Sequence, residues 1–193
     1  MLVKPETVQE FWQYMQGEYH SNVVAKDKSA TMAAVAEILN VLDIQDRETF
    51  LKRYTTTLGR TIYIPFEISV VNEFYDLWGQ IRVCVHEHQH VEQGDRDGWV
   101  VFGGRYLTST SYRANYEAEA YGCDLEMEFW RNPSIDLLAF GDQRADGLRN
   151  YGCKQEDIDQ AKLVLSLRAG VVAQGGVETR SAQRAIAWLE QHA

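Results

Sequence analysis

The sequence predicts an α+β fold that is mainly helical, with one small mixed sheet. Three observations predict it. Apolar residues recur at helical spacing in the N-terminal third and again near the C-terminus, a Thr-, Tyr- and Ile-rich stretch runs from Tyr54 to Ile68, and two long helical patterns follow that stretch. With 193 residues and 45% hydrophobic content, the chain is expected to form one domain over 1–193, with its functional core at about 54–130.

Taken in order, Pro5 suits the first position of a helix, and Val8, Phe11, Trp12 and Met15 form one apolar stripe behind it. A polar loop is expected around His20 to Lys28. A second helix then carries Met32, Val35, Leu39 and Leu42, and Asp46 can cap a third that carries Phe50, Leu51 and Tyr54. Tyr54 to Ile68 has strand composition with a bend at Gly59, and Pro65, which cannot donate to a ladder, puts this strand at an edge or ends it. A helix is predicted from about Asn72, a potential cap, to Gln93, with Gly94 as its left-handed terminus. Trp99 to Phe102 reads as a second short strand, Ser111 to Trp130 as a helix stopped by Asn132-Pro133, and Ser134 to Tyr151 as irregular. Helices near Gln155 to Ala169 and Ser181 to His192 close the chain.

A formal charge of −9 without a Lys/Arg cluster argues against nucleic acid and anionic membrane as partners. No stretch approaches the roughly 18 apolar residues of a membrane span, and the N-terminus has no signal-peptide pattern, so a cytoplasmic product is expected. Three cysteines, Cys84, Cys123 and Cys153, suit buried reduced thiols better than a disulfide framework.

Three of the five histidines fall in His86-Glu87-His88-Gln89-His90, an H-E-x-x-H pattern on a predicted helix. Side chains four apart share a helical face with Cβ atoms about 5–6 Å apart, so His86 and His90 can reach one ion. Glu87, about 100° around the helix, flanks that ion as a general base should. His88 points about 200° away from His86 and is not a ligand. A catalytic zinc ion, one per chain, needs a third protein ligand and an open position. An H-x-x-G-x-x-H continuation fails because Gln93 and Arg96 occupy its glycine and histidine positions. A deformylase-like upstream cysteine fails because Cys84 lies on the wrong face of the same helix. The segment Tyr112 to Tyr121 offers two glutamates instead, Glu117 and Glu119.

Over roughly Tyr54 to Trp130 the chain resembles the gluzincin zinc metallopeptidases, and also small single-domain peptidases of phages and bacteria. The Thr-rich strand, the H-E-x-x-H helix and the E-x-E-A helix come in the gluzincin order. The ligand glutamate of that family is commonly followed three residues later by a small residue, which favours Glu117 with Ala120 over Glu119; Ala114 and Ala120 would let the two helices approach. The resemblance implies a zincin-like fold, zinc held by His86, His90 and Glu117, Glu87 as catalytic base, and hydrolysis of amide bonds in a peptide or protein substrate. It also implies that an edge strand at Thr61 to Ile68 receives substrate, and that an oxyanion donor lies among Tyr106, Tyr112, Tyr116 and Arg105. Many gluzincins carry an acid just after the E-x-x-A group. Tyr121 stands there, which leaves the group that orients a histidine ligand unassigned.

Overall fold

The computed structural model describes residues 3–41 and 46–192, with only the backbone course of 38–41; the core roles expected of Leu39 and Leu42 lie outside this description. Helix α1 (Pro5–Tyr19) buries Val8, Phe11, Trp12, Met15 and Tyr19 and ends at His20 in the left-handed region, φ 48°. The segment that follows is not all loop. It holds strand β1 (Asn22–Ala25) and a single 3-10 turn, Lys26–Lys28. Helix α2 (Ala30–Val41) and helix α3 (Arg47–Arg53) come next, and the Asp46 carboxylate accepts from the Glu48 and Thr49 amides at the start of α3.

The Thr-rich stretch is a hairpin. Strand β2 (Thr56–Leu58) turns at Gly59, φ 61°, into strand β3 (Thr61–Ile64), and Pro65 follows where β3 stops. β3 pairs antiparallel with β2 and parallel with β1, giving a mixed sheet of order β1-β3-β2. Thr61–Ile64 is therefore the central strand and offers no edge to substrate, contrary to the sequence expectation. The missing neighbour was β1, a four-residue strand with only half-buried residues on one side and exposed ones on the other.

Helix α4 (Leu77–Asp97) carries the H-E-x-x-H segment. Asn72 does not cap it: its side chain accepts from the Phe74 and Tyr75 amides in a turn, and Asp76 caps α4 by accepting from Gly79 N at 2.6 Å. Nor does α4 end at Gly94. A Cβ at Gly94 would sit 2.4 Å from the Trp99 ring, so glycine is needed there for close approach, and Gly98, φ 83°, ends the helix. The expected strand at Trp99 to Phe102 is instead the start of helix α5 (Trp99–Thr108). Val100 is 90% exposed while Trp99 and Phe102 turn inward, a spacing of three that fits a helix and not a buried strand.

Helix α6 (Thr110–Arg131) is buried over most of its length. The region read as irregular contains helix α7 (Leu137–Asp146), capped by Asp136, and a 3-10 turn, Gly147–Tyr151. Its inner positions are Leu137, Gly141 and Ala145, two of them too small to register as hydrophobic periodicity, and Gly141 admits Leu165 to within contact of its backbone. Helix α8 (Gln155–Val172) and helix α9 (Arg180–His192) follow. One apolar cluster joins α1, β3, α4 and α9; another joins α6, α7 and α8. α6 contributes to both, with Cys123 and Met127 on one side and Ala114, Ala118, Tyr121 and Leu125 on the other, so α4 and α6 meet along the seam between the clusters. Among the described residues, no helix is long and apolar enough to cross a membrane.

Candidate metal centre

His86, His90 and Glu117 converge where α4 crosses α6, each offering a ligand atom within 4.8 Å of the others. His86 Nε2 lies 3.5 Å from Glu117 Oε2, and His90 Nε2 lies 3.6 Å from Glu117 Oε1. Ligands about 2.0–2.1 Å from a tetrahedral ion are spaced about 3.3–3.4 Å apart, so these separations suit a cation between them. The donor chemistry fits too. Glu117 is 2% exposed and its Oε2 is buried without any hydrogen-bond donor, an arrangement that leaves a carboxylate lone pair for an ion. Burial alone would raise the Glu117 pKa; His90, His86 and Tyr106 outweigh it and bring it down to about 2.

Each imidazole has a polar group behind it. His90 Nδ1 is 2.8 Å from Gln93 Oε1, and the Gln93 amide is fixed because its Nε2 donates to Tyr116 O at 2.9 Å. Gln93 therefore accepts from His90, the proton sits on Nδ1, and Nε2 presents its lone pair to the centre. His86 Nδ1 faces Asp124 Oδ1 at 3.6 Å, and Arg144 Nε faces the other Asp124 oxygen at 3.6 Å. Burial opposes a charge on His86, but Asp124 and Glu117 outweigh it and favour the imidazolium well above its ordinary range in the absence of a competing cation. Asp124 thus stands behind His86, where an orienting carboxylate would sit and where the sequence left the group unassigned. It is seven residues from Glu117, two turns along the same face of α6, a spacing readable from the sequence once Glu117 is chosen. His86, Cys123 and Asp124 form a second grouping with ligand atoms within 4.8 Å of one another. Burial raises the Cys123 thiol well above its usual range, and its Sγ donates to Ala120 O, so it offers no ready thiolate.

Glu119, the alternative ligand, lies outside the triad and bonds Gln89 and Arg96. His88 faces away, as its helical angle requires: Cys84 O can only accept, so Nδ1–H donates to it at 2.7 Å, and Nε2 accepts from Ser21 Oγ at 2.9 Å. Glu87 stands beside the triad with its carboxylate accepting from Thr55 Oγ1 and, at 2.7 Å, from Thr57 Oγ1. Those hydroxyls come from the edge strand β2 and the residue before it, so the sheet holds this carboxylate in place.

His86 and Glu87 open on a cleft of about 380 Å3 whose other polar walls include Tyr121, Tyr151, Arg82 and Arg144. None of the four oxyanion donors expected from sequence lines it. Tyr106 donates to Glu117 at 2.5 Å, Tyr116 donates to Asp97, and Arg105 lies over the Tyr112 ring. Tyr121 and Tyr151 line it instead, and burial keeps both hydroxyls protonated well above the ordinary tyrosine range. Arg113 donates to the Tyr106, Leu107 and Tyr151 carbonyls and forms no ion pair among the described residues. No family model, curated protein or solved structure matches the chain.

Proposed function

We propose that the chain is a zinc-dependent peptidase of the gluzincin type, hydrolysing amide bonds in a peptide or protein substrate. The observation that carries this reading is the joining of two features: a buried His86, His90 and Glu117 triad with an unpartnered Glu117 oxygen, and a carboxylate, Glu87, that shares with His86 the cleft beside it. One zinc ion per chain, held by those three residues, would supply Lewis acidity, polarising the substrate carbonyl and making an attacking water more acidic. Glu87 accepts the proton of the attacking water and passes it to the leaving amine, while Thr55 and Thr57 keep its oxygens aimed. Tyr121 and Tyr151 are placed to donate to the oxygen that gains charge. β2, with one edge unpaired in the sheet, is the strand at which an extended substrate can add. Free cysteines support a reducing, cytoplasmic setting, and the net charge of −9 supports partners other than nucleic acid or membrane.

The two threonine bonds to Glu87 also favour a second reading, a zinc-binding protein in which Glu87 only joins α4 to the sheet and nothing is turned over. Glu87→Gln separates the two. On zinc-loaded protein and a mixture of fluorogenic peptides, the proposal expects the rate to fall at least about 100-fold with zinc content unchanged. A variant as active as the wild type would refute Glu87 as the base.

A further inference from the structure

The cleft beside His86 has an unusual wall for so acidic a chain. Arg82 lies four residues before His86 on α4, and Arg144 reaches across from α7. Their guanidinium carbons sit 5.7 and 4.8 Å from the centre of the Phe140 ring, which holds both planes near one place. Their side chains are only 19% and 29% exposed, so water does not fully solvate them. Each meets one carboxylate at ion-pair range through Nε, Arg82 with Glu128 at 3.4 Å and Arg144 with Asp124 at 3.6 Å. Neither donates a hydrogen bond within the protein among the described residues, and both Nε atoms are buried with an ion-pair partner but no hydrogen bond. A guanidinium has five N–H donors and is suited to the two oxygens of a carboxylate. Each Nε is turned to its carboxylate, so the other N–H donors of both forks stay without a hydrogen bond in the protein among the described residues, and an anion in the cleft can complete them.

We propose that this cleft selects substrates with a carboxylate one or two residues from the cleaved bond, received by Arg82 and Arg144. The spacing follows from the helix: four residues of α4 separate Arg82 from His86 by about 6 Å, and an extended peptide covers about 3.3–3.6 Å per residue. The carboxylate can be a free C-terminus or an acidic side chain. This inference rests on the peptidase reading for the identity of the bond, but its test does not require turnover.

The test is calorimetric titration of zinc-loaded protein carrying Glu87→Gln with three probes: N-acetyl-dialanine, its C-terminal amide, and N-acetyl-alanyl-glutamate C-terminal amide. The free acid is expected to bind at least about tenfold tighter than the neutral amide, about 1.4 kcal/mol. Tight binding of the glutamate probe identifies a side-chain carboxylate as a second source; its failure restricts the site to C-termini. Arg82→Gln, and the milder Arg82→Lys, which keeps a charge beside Glu128, should erode the preference while leaving zinc content and neutral-amide affinity unchanged. Equal binding of all three probes, no binding up to millimolar concentration, or a preference that survives in both Arg82→Gln and Arg144→Gln overturns the inference. Carboxylate preference in a wild type that cleaves nothing removes the peptidase reading alone, whereas cleavage of neutral and acidic peptides with equal kcat/KM removes this inference alone.

Discussion

Glu117 and Glu119 sit two residues apart on one helix and do opposite work. The first is buried with an oxygen left open, and the second pairs with Arg96 at the surface. Metal per chain, measured by elemental mass spectrometry on protein purified without added zinc, should fall from near one to below about a tenth in Glu117→Ala and stay unchanged in Glu119→Ala. Gln93→Ala should keep the ligands but weaken zinc binding about 10- to 100-fold, because His90 loses the acceptor that fixes its tautomer. At this scale the sequence was most readable where helical angle alone decides: the shared face of His86 and His90, the divergence of His88, and the flanking place of Glu87. Asp124 was readable only once Glu117 was chosen, and Gln93, Thr55 and Tyr151 were not readable, since each reaches the site from another turn or element with no spacing that points to it.

Among elements, the least legible was β1, and its neighbourhood holds the one fully buried lysine among the described residues. Lys26, just past β1, donates to Phe50 O, Tyr54 O and Thr56 Oγ1, so it joins the end of α3 to the start of β2 and thereby places the threonines that hold Glu87. Burial lowers its pKa to about 7, with Glu87 pulling the other way. Lys26→Met should cost about 2–3 kcal/mol in urea unfolding at pH 7, because three acceptors lose a charged donor. The pH dependence has a definite sign. Between pH 7 and 10.5 the unfolded chain holds the proton that the folded chain has released, so unfolding takes up a proton and wild-type stability rises with pH relative to Lys26→Met. A gain of about 1 kcal/mol per pH unit in that window is expected from the difference in midpoints, and a flat difference would place the lysine pKa outside it. The long helices were visible because their apolar residues are large; α7 was hidden because its inner face is built on Gly141 and Ala145 as much as on Leu137, and the strand expected at Trp99 to Phe102 failed because β-branched composition does not outweigh a spacing of three in burial.

Across the whole molecule, the centre lies at the seam of two apolar clusters, bonded on one side to α4 and on the other to α6. A cation held there would bind the folded chain and would find no comparable site in the unfolded one. At a thousandfold excess over Kd it would add about 4 kcal/mol of stability, which for a chain of this size is a rise in Tm of about 10 °C. Chelation should remove that increment and zinc should restore it; a melting curve indifferent to both would mean that the triad holds no metal in solution. The approach of α4 and α6 was expected from the sequence, but not that they meet between two separate clusters, because α6 has two buried faces and a helix buried all round has no single stripe to read.

The segment His86 to His90 is addressed from every direction. His86 faces Asp124 and Glu117, Glu87 the sheet threonines, His88 Ser21, Gln89 both Ser181 and Glu119, and His90 Gln93. A helix against a core ordinarily leaves the positions on its outer side free to drift. Here the two residues that the motif leaves unspecified are as constrained as the three that it names, so the whole pentapeptide carries information about its surroundings, and transplanting only the two histidines and the glutamate into another helix would transfer the ligands without the neighbours that aim them.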